Sequence, residues 1–167
     1  MLDNVEMCSR HVGTIWDRIP LCSAKIIYQN MSLPLVSVII PTKDRYEQLL
    51  KAINSVKKQT YNNYEILVIN DGSNDERYNK SIKNVNKIDL SKNSSQILGY
   101  PCGALARNIG MEKSNGDYIA FLDDDDIWLP NKLEIQISEM IKNNINISCS
   151  DGFIGNGAYK ENEKYKL

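Results

Sequence analysis

Histidine is almost missing from this chain: His11 is the single one among 167 residues. That excludes zinc chemistry built on imidazole ligands. The four cysteines, Cys8, Cys22, Cys102 and Cys149, form no C-x-x-C pair and read as reduced, scattered thiols. Neither sign of charge dominates, since 20 basic and 21 acidic residues leave a net charge of -1. No basic stripe offers a surface for nucleic acid. The apolar runs fall far short of a membrane span. The first residues carry acids in place of an apolar signal core, so the expectation is a soluble, cytoplasmic protein. No internal repeat or low-complexity block interrupts it, and the length suits one domain with its own core.

What is present is organised around Tyr118-Ile-Ala-Phe-Leu-Asp-Asp-Asp-Asp126. An apolar run that enters four consecutive aspartates reads as a strand buried on both faces, as in a parallel sheet covered by helices. Its carboxyl end is where open α/β sheets bind ligands. Clustered carboxylates repel: two unit charges 4 Å apart cost about 4 kcal/mol at an effective dielectric of 20. Full solvation, partial protonation or a bound cation relieves this, and hard oxygens suit Mg²⁺ or Mn²⁺, which also hold phosphates. The plainer reading is an acidic turn in which Asp126 caps the next helix, with Pro130 in its first turn. The cap is preferred for Asp126 and the ion for Asp123 to Asp125.

Taken in order, residues 1–33 form an extension without recognisable chemistry, with Ala24 to Tyr28 as a possible strand and Gly13 to Trp16 as packing residues. Leu35 to Ile40 reads as a buried strand stopped by Pro41. Arg45 to Gln59 is an amphipathic helix with Leu49, Ile53 and Val56 inward. Tyr64 to Ile69 is a second strand, followed by a short helix from Asp75 to Lys83. Asn86 to Leu90 is a weaker strand, and Ser91 to Gln96 a mobile polar loop. Gly103 to Ser114 is a helix kept thin by Gly103, Ala104, Ala106 and Gly110. After the aspartates, Pro130 to Asn143 is amphipathic through Leu133, Ile137, Met140 and Ile141, and Ile145 to Cys149 is a last strand. Alternating strand and helix imply right-handed crossovers and a mostly parallel sheet.

Three polar loops then fall at strand carboxyl ends: Pro41 to Asp44, Asn70 to Asp75 and Asp123 to Asp126. In a parallel sheet these ends share one edge, so the loops converge on one crevice. Each residue also has an ordinary reading. Asp71-Gly72 is a common turn, with Ser73 or Asn74 as a helix cap; a carboxylate there is equally able to accept the imide N–H of a uracil ring. Arg107 is either a solvated helical arginine or a group that orients an aspartate or meets a phosphate. Thr42 and Arg45 either serve the site or only start the first helix, and Trp128 is more often core than sugar platform.

Together these residues resemble the family 2 glycosyltransferases, inverting enzymes with the Rossmann-like GT-A fold. The matching pieces are Val36 to Thr42 with Arg45, Ser55 to Thr60, Tyr64 to Ser73, Ala106 to Gly110, Asn115 to Asp125, and Trp128 to Pro130. They stand in the family's order and spacing over roughly residues 34–150. The resemblance implies that Pro41 and Thr42 border the nucleotide base and that Asp71 hydrogen-bonds it. Arg45 and Arg107 would line the nucleotide site. Asp123 to Asp125 are similar to the family's DxD motif: Asp123 or Asp124 would touch the ribose, and Asp125, with Asp123, would hold a divalent ion, Mn²⁺ or Mg²⁺, on the diphosphate. The implied partner is a nucleotide-sugar donor, with UDP-sugar preferred. No residue identifies the acceptor (glycan, lipid or protein), the sugar or the oligomeric state, and membrane association would come only through an acceptor.

The chain departs from the family's pattern at its end. Family enzymes carry their catalytic base on a later segment, and here the only nearby candidate is Asp151, a weak one. The expectation is therefore a GT-A nucleotide-sugar-binding domain over residues 34–167, truncated in its acceptor part. A non-catalytic nucleotide-binding module is the alternative. An aspartyl-phosphate hydrolase of the haloacid-dehalogenase kind suits the DxD strand less well, because that fold sets the motif on its first strand.

Overall fold

The computed structural model describes residues 33–152, so the expectations for the N-terminal extension lie outside the described residues. Four parallel strands form one sheet: β1 (Val36–Thr42), β2 (Tyr64–Asn70), β3 (Asn86–Asp89) and β4 (Tyr118–Phe121), in the order β3-β2-β1-β4. Val36 stands opposite Tyr64 on one side and Tyr118 on the other. Parallel neighbours need crossover connections. These are α1 (Tyr46–Lys57) between β1 and β2, and α2 (Ser94–Leu98) with α3 (Gly103–Lys113) between β3 and β4; α4 (Lys132–Asn143) follows.

Strand alternation sends successive side chains to opposite faces, and each face has its own helices. Val36, Val38, Ile40, Ile66 and Val68 pack in one cluster with Leu49, Ala52, Ile53 and Val56 of α1 and with Leu133 and Ile137 of α4. Ile39, Leu67 and Ile69 pack on the opposite face with Ala106 of α3. Each such side chain, fully buried, contributes about 1.5–3 kcal/mol. The expected inward positions of α1 and α4 are those observed. Trp128 also belongs to the core, 9% exposed, with the Lys132 ammonium 4.3 Å from its ring centroid. On α3 the sequence reading holds at two of four small residues: Ala106 and Gly110 are buried, whereas Gly103 and Ala104 are exposed. A Cβ at Gly110 would lie 2.4 Å from Ile39 Cγ2, so only glycine admits this approach of helix to sheet.

Several expectations need correction. Pro41 does not stop β1, which continues to Thr42. The Ile39 carbonyl accepts from Leu122 N on the β4 side, and that ladder ends there. Pro41 therefore lacks its N–H where no partner strand requires one. β4 is not buried on both faces; among the described residues it is an outer strand, with Ile119 and Phe121 41% and 45% exposed.

Asp126 caps no helix. Its N–H closes a turn onto the Asp123 carbonyl, and α4 begins after Asn131. The span from Asp75 to Lys83 contains only a 3₁₀ turn, Glu76–Asn79, capped by Asp75 rather than by Ser73 or Asn74. Ser91 to Gln96 is not wholly loop, because Asn93 starts α2 with a reciprocal capping box with Gln96. Ile145 to Cys149 is exposed and forms no strand. Asn144 turns left-handed at the end of α4, and no described strand pairs with the segment beyond it. No helix among the described residues is long and apolar enough to cross a membrane.

Candidate functional site

The carboxyl ends of β1, β2 and β4 lie on one edge of the sheet, and their loops are bonded together. Asp71 N donates to the Thr42 carbonyl (2.9 Å), extending the β1–β2 ladder by one step. Beyond it, Asp44 N donates to Ser73 Oγ (2.9 Å) and Asn74 N to Asp44 Oδ1 (2.7 Å). Asp44 takes the left-handed conformation (φ 53°) that an aspartate tolerates and a branched residue does not. Ser73 is thus a loop clasp, bonding Asn70 Oδ1 through both its N–H and its hydroxyl.

Two arginines hold the β4 loop, Arg45 to the β1 loop and Arg107 to α3. Arg45, immediately before α1, places its guanidinium 2.6 Å from Asp125 Oδ2 and 3.2 Å from Asp124 Oδ1. Arg107 on α3 pairs with Asp123 Oδ1. Of the two sequence readings of Arg107, the orientation of an aspartate is therefore observed. Arg45 likewise does more than start a helix.

The aspartates are unlike one another. Asp123 and Asp125 are half-exposed, whereas the Asp124 side chain is only 1% exposed. Burial raises the Asp124 pKa above the usual carboxylate range. The Thr42 hydroxyl, Arg45 and the Lys43 N–H oppose that shift, and Asp125 adds to it. Asp124 Oδ2 is buried without a hydrogen-bond partner among the described residues. Asp126 is also raised, by partial burial and then by repulsion from Asp125 and Asp123.

Asp71 is buried, and its carboxylate holds the start of α2: Oδ1 accepts from Ser94 N and Oδ2 from Ser94 Oγ, both at 2.6 Å. Gly72, at φ 67°, makes this turn possible; a Cβ there would meet Asn93 Cβ at 3.0 Å. Pro41 and Thr42 sit at the end of β1, with Thr42 buried. Asp151 is exposed, outside helix and strand.

Sequence reasoning missed two groups here. Tyr78 is buried under the β1 loop, its hydroxyl 2.8 Å from Thr42 Oγ1 and accepting from Arg45 N at 3.1 Å. Its ring meets Tyr46 edge-on at 5.2 Å. No sequence signal marks it, because the contact crosses from the 3₁₀ turn to the start of α1. Ser94 did have one: Asn93-x-x-Gln96 is a capping pattern.

The donor set suits a hard divalent ion, being carboxylate oxygen with two half-exposed members. Among the described residues no group of three His, Cys, Asp or Glu side chains could hold a metal ion. The two half-exposed carboxylates, Asp123 and Asp125, are each ion-paired with an arginine.

Comparisons with known proteins give a consistent picture. Residues 37–167 match the family described as Glycosyl transferase family 2. A UDP-Glc:alpha-D-GlcNAc-diphosphoundecaprenol beta-1,3-glucosyltransferase, WfgD of Escherichia coli, is 45% identical over 113 residues, which is 66% of this chain and 43% of that protein. An uncharacterized glycosyltransferase of Haemophilus influenzae is 40% identical over 118 residues, 69% of this chain and 46% of that one. The chain thus spans less than half the length of either relative. The crystal structure of S. aureus TarS 1-349 in complex with UDP-GlcNAc is similar at 25% identity and a TM-score of 0.55, over 65% of this chain and 32% of that chain.

Proposed function

The chain belongs to glycosyl transferase family 2, and from that premise we propose that it binds a UDP-sugar and serves transfer of the sugar to an acceptor hydroxyl with inversion, dependent on Mn²⁺ or Mg²⁺. The observation that carries this reading is the bridge of Arg45 to Asp124 and Asp125. It joins the β1 loop to the β4 loop at the edge where α/β sheets take their ligands. The UDP-Glc named as donor of the E. coli relative and the UDP-GlcNAc in the TarS complex support uridine over other bases.

Residues 34–167 would form the donor-binding domain, with these roles. Pro41 and Thr42 border the base. Asp71 accepts the imide N–H: each carboxylate oxygen has two lone pairs, so its bonds to Ser94 leave capacity for a further donor. Asp123, half-exposed and oriented by Arg107, is better placed for a ribose hydroxyl than the buried Asp124. Asp125, with Asp123, would hold the divalent ion, which supplies Lewis-acid stabilisation of the diphosphate as it leaves. Arg45 and Arg107 add positive charge beside the diphosphate. Inversion requires a base within hydrogen-bond reach of the acceptor hydroxyl, and Asp151 is the candidate among the described residues.

Calorimetric titration of UDP, with GDP as comparison, checks this reading with and without Mn²⁺. UDP is expected to bind only with the metal, at least about tenfold tighter than GDP. Asp125→Ala should abolish the metal-dependent part. Equal binding of UDP with and without Mn²⁺ would remove the ion from the account, and absence of binding by the folded protein would remove the donor.

A further inference from the structure

Arg45 stands where a cation is expected. Its guanidinium bridges the half-exposed Asp125 and the buried Asp124 at 2.6 and 3.2 Å. Asp124 keeps a second, buried oxygen with no hydrogen-bond partner among the described residues, so the acceptor capacity of this carboxylate is not filled. We propose that Arg45 is a tethered cation that pairs with Asp124 and Asp125 in the donor-free protein and competes with the divalent ion for Asp125. This rests on the donor-site reading above and deepens it: the ion and the guanidinium exchange at Asp125, so that metal alone binds weakly and metal with nucleotide binds well.

The surroundings suit such an exchange. The backbone of Arg45 is pinned, since its N–H donates to the buried Tyr78 hydroxyl, which also holds Thr42. The side chain is 48% exposed, and among the described residues two ion pairs hold its head. A fixed backbone with a solvent-exposed head lets the charge leave Asp125 without disturbing β1. A metal ion binds a carboxylate oxygen at about 2.0–2.1 Å, too close to share Asp125 Oδ2 with a guanidinium already 2.6 Å away. Like charges at that separation repel strongly. A nucleotide diphosphate resolves the conflict because it offers the displaced guanidinium a second anion with matching geometry.

The test uses Arg45→Gln, which keeps length and polarity and removes the charge, with Arg45→Lys as a second variant that keeps the charge without the fork. Mn²⁺ alone is titrated by the loss of its free-ion EPR signal, and UDP is then titrated at saturating Mn²⁺. Arg45→Gln is expected to bind Mn²⁺ alone roughly fivefold tighter or more than wild type, within the usual range of coupling between neighbouring sites. It should bind UDP with Mn²⁺ less tightly than wild type. Arg45→Lys should stay near wild type for Mn²⁺ alone. Unchanged or weaker Mn²⁺ binding by Arg45→Gln, in a protein whose wild type binds UDP with Mn²⁺, overturns the proposal and leaves the donor site standing. Absence of UDP binding by wild type overturns both. Should Arg45→Gln fail to fold, the Arg45 Nε–Hε resonance of wild type decides: a shift on adding Mg²⁺ with UDP supports the exchange, and an unmoved resonance refutes it.

Discussion

At the scale of single residues, charge here is handled by specific pairing. Glu65, at the start of β2, accepts from Ser37 Oγ (2.6 Å) and from Asn115 N (2.8 Å), and so ties β1 to the turn before β4. Burial pushes its pKa up, but the bonds from Ser37 and Asn115 together outweigh burial and hold it below the usual range. A carboxylate depressed in the folded state stabilises above its unfolded pKa, and that contribution fades as pH falls through the folded value. Glu65→Gln should therefore lose about 1–2 kcal/mol near neutrality. The gap to wild type should narrow from about pH 4.3 downward, as urea melts at several pH values would show; a gap that widens in acid would contradict this. Residue-scale roles were the least legible in the sequence. Asp126 looked like a cap because aspartate is a favoured N-cap and Pro130 suits a helix's first turn, yet its N–H closes a turn on Asp123. Tyr78 carried no pattern, since a buried hydroxyl is recognised only by what it meets across the fold.

At the scale of elements, local rules carried most of the reading and failed where tertiary contacts decide. The apolar periodicity of α1 and α4 named their inner faces because a helix must bury its stripe. The apolar run of β4 misled, because an outer strand can leave the same residues uncovered. The polar run before α3 concealed a five-residue helix. So short a helix is marginal alone, and it depends on its capping box and on Asp71. α3 approaches β1 closely at Gly110. Alanine there favours a helix by about 1 kcal/mol, but its Cβ would stand 2.4 Å from Ile39 Cγ2. Overpacking of this kind costs about 1–3 kcal/mol, so Gly110→Ala should lower the Tm. A raised Tm would show that α3 sits less tightly on the sheet than described.

At the scale of the molecule, the parallel order of strands explains why distant residues meet. That convergence was legible before any coordinates, because alternating strand and helix oblige the loops after β1, β2 and β4 to share one edge. The details were not. The arginine bridge depends on the direction in which Arg45 leaves β1, and the capping bonds on Asp71 depend on a helix that composition hid. Chemical-shift mapping tests the central claim, one donor site on that edge, most directly. Uniformly ¹⁵N-labelled protein would be titrated with UDP in the presence of Mg²⁺. The account predicts saturable shifts concentrated at Thr42 to Arg45, Asp71 to Asn74 and Leu122 to Asp126, with a single dissociation constant. Shifts confined to other surfaces, or no shifts at these three loops at saturation, would contradict it.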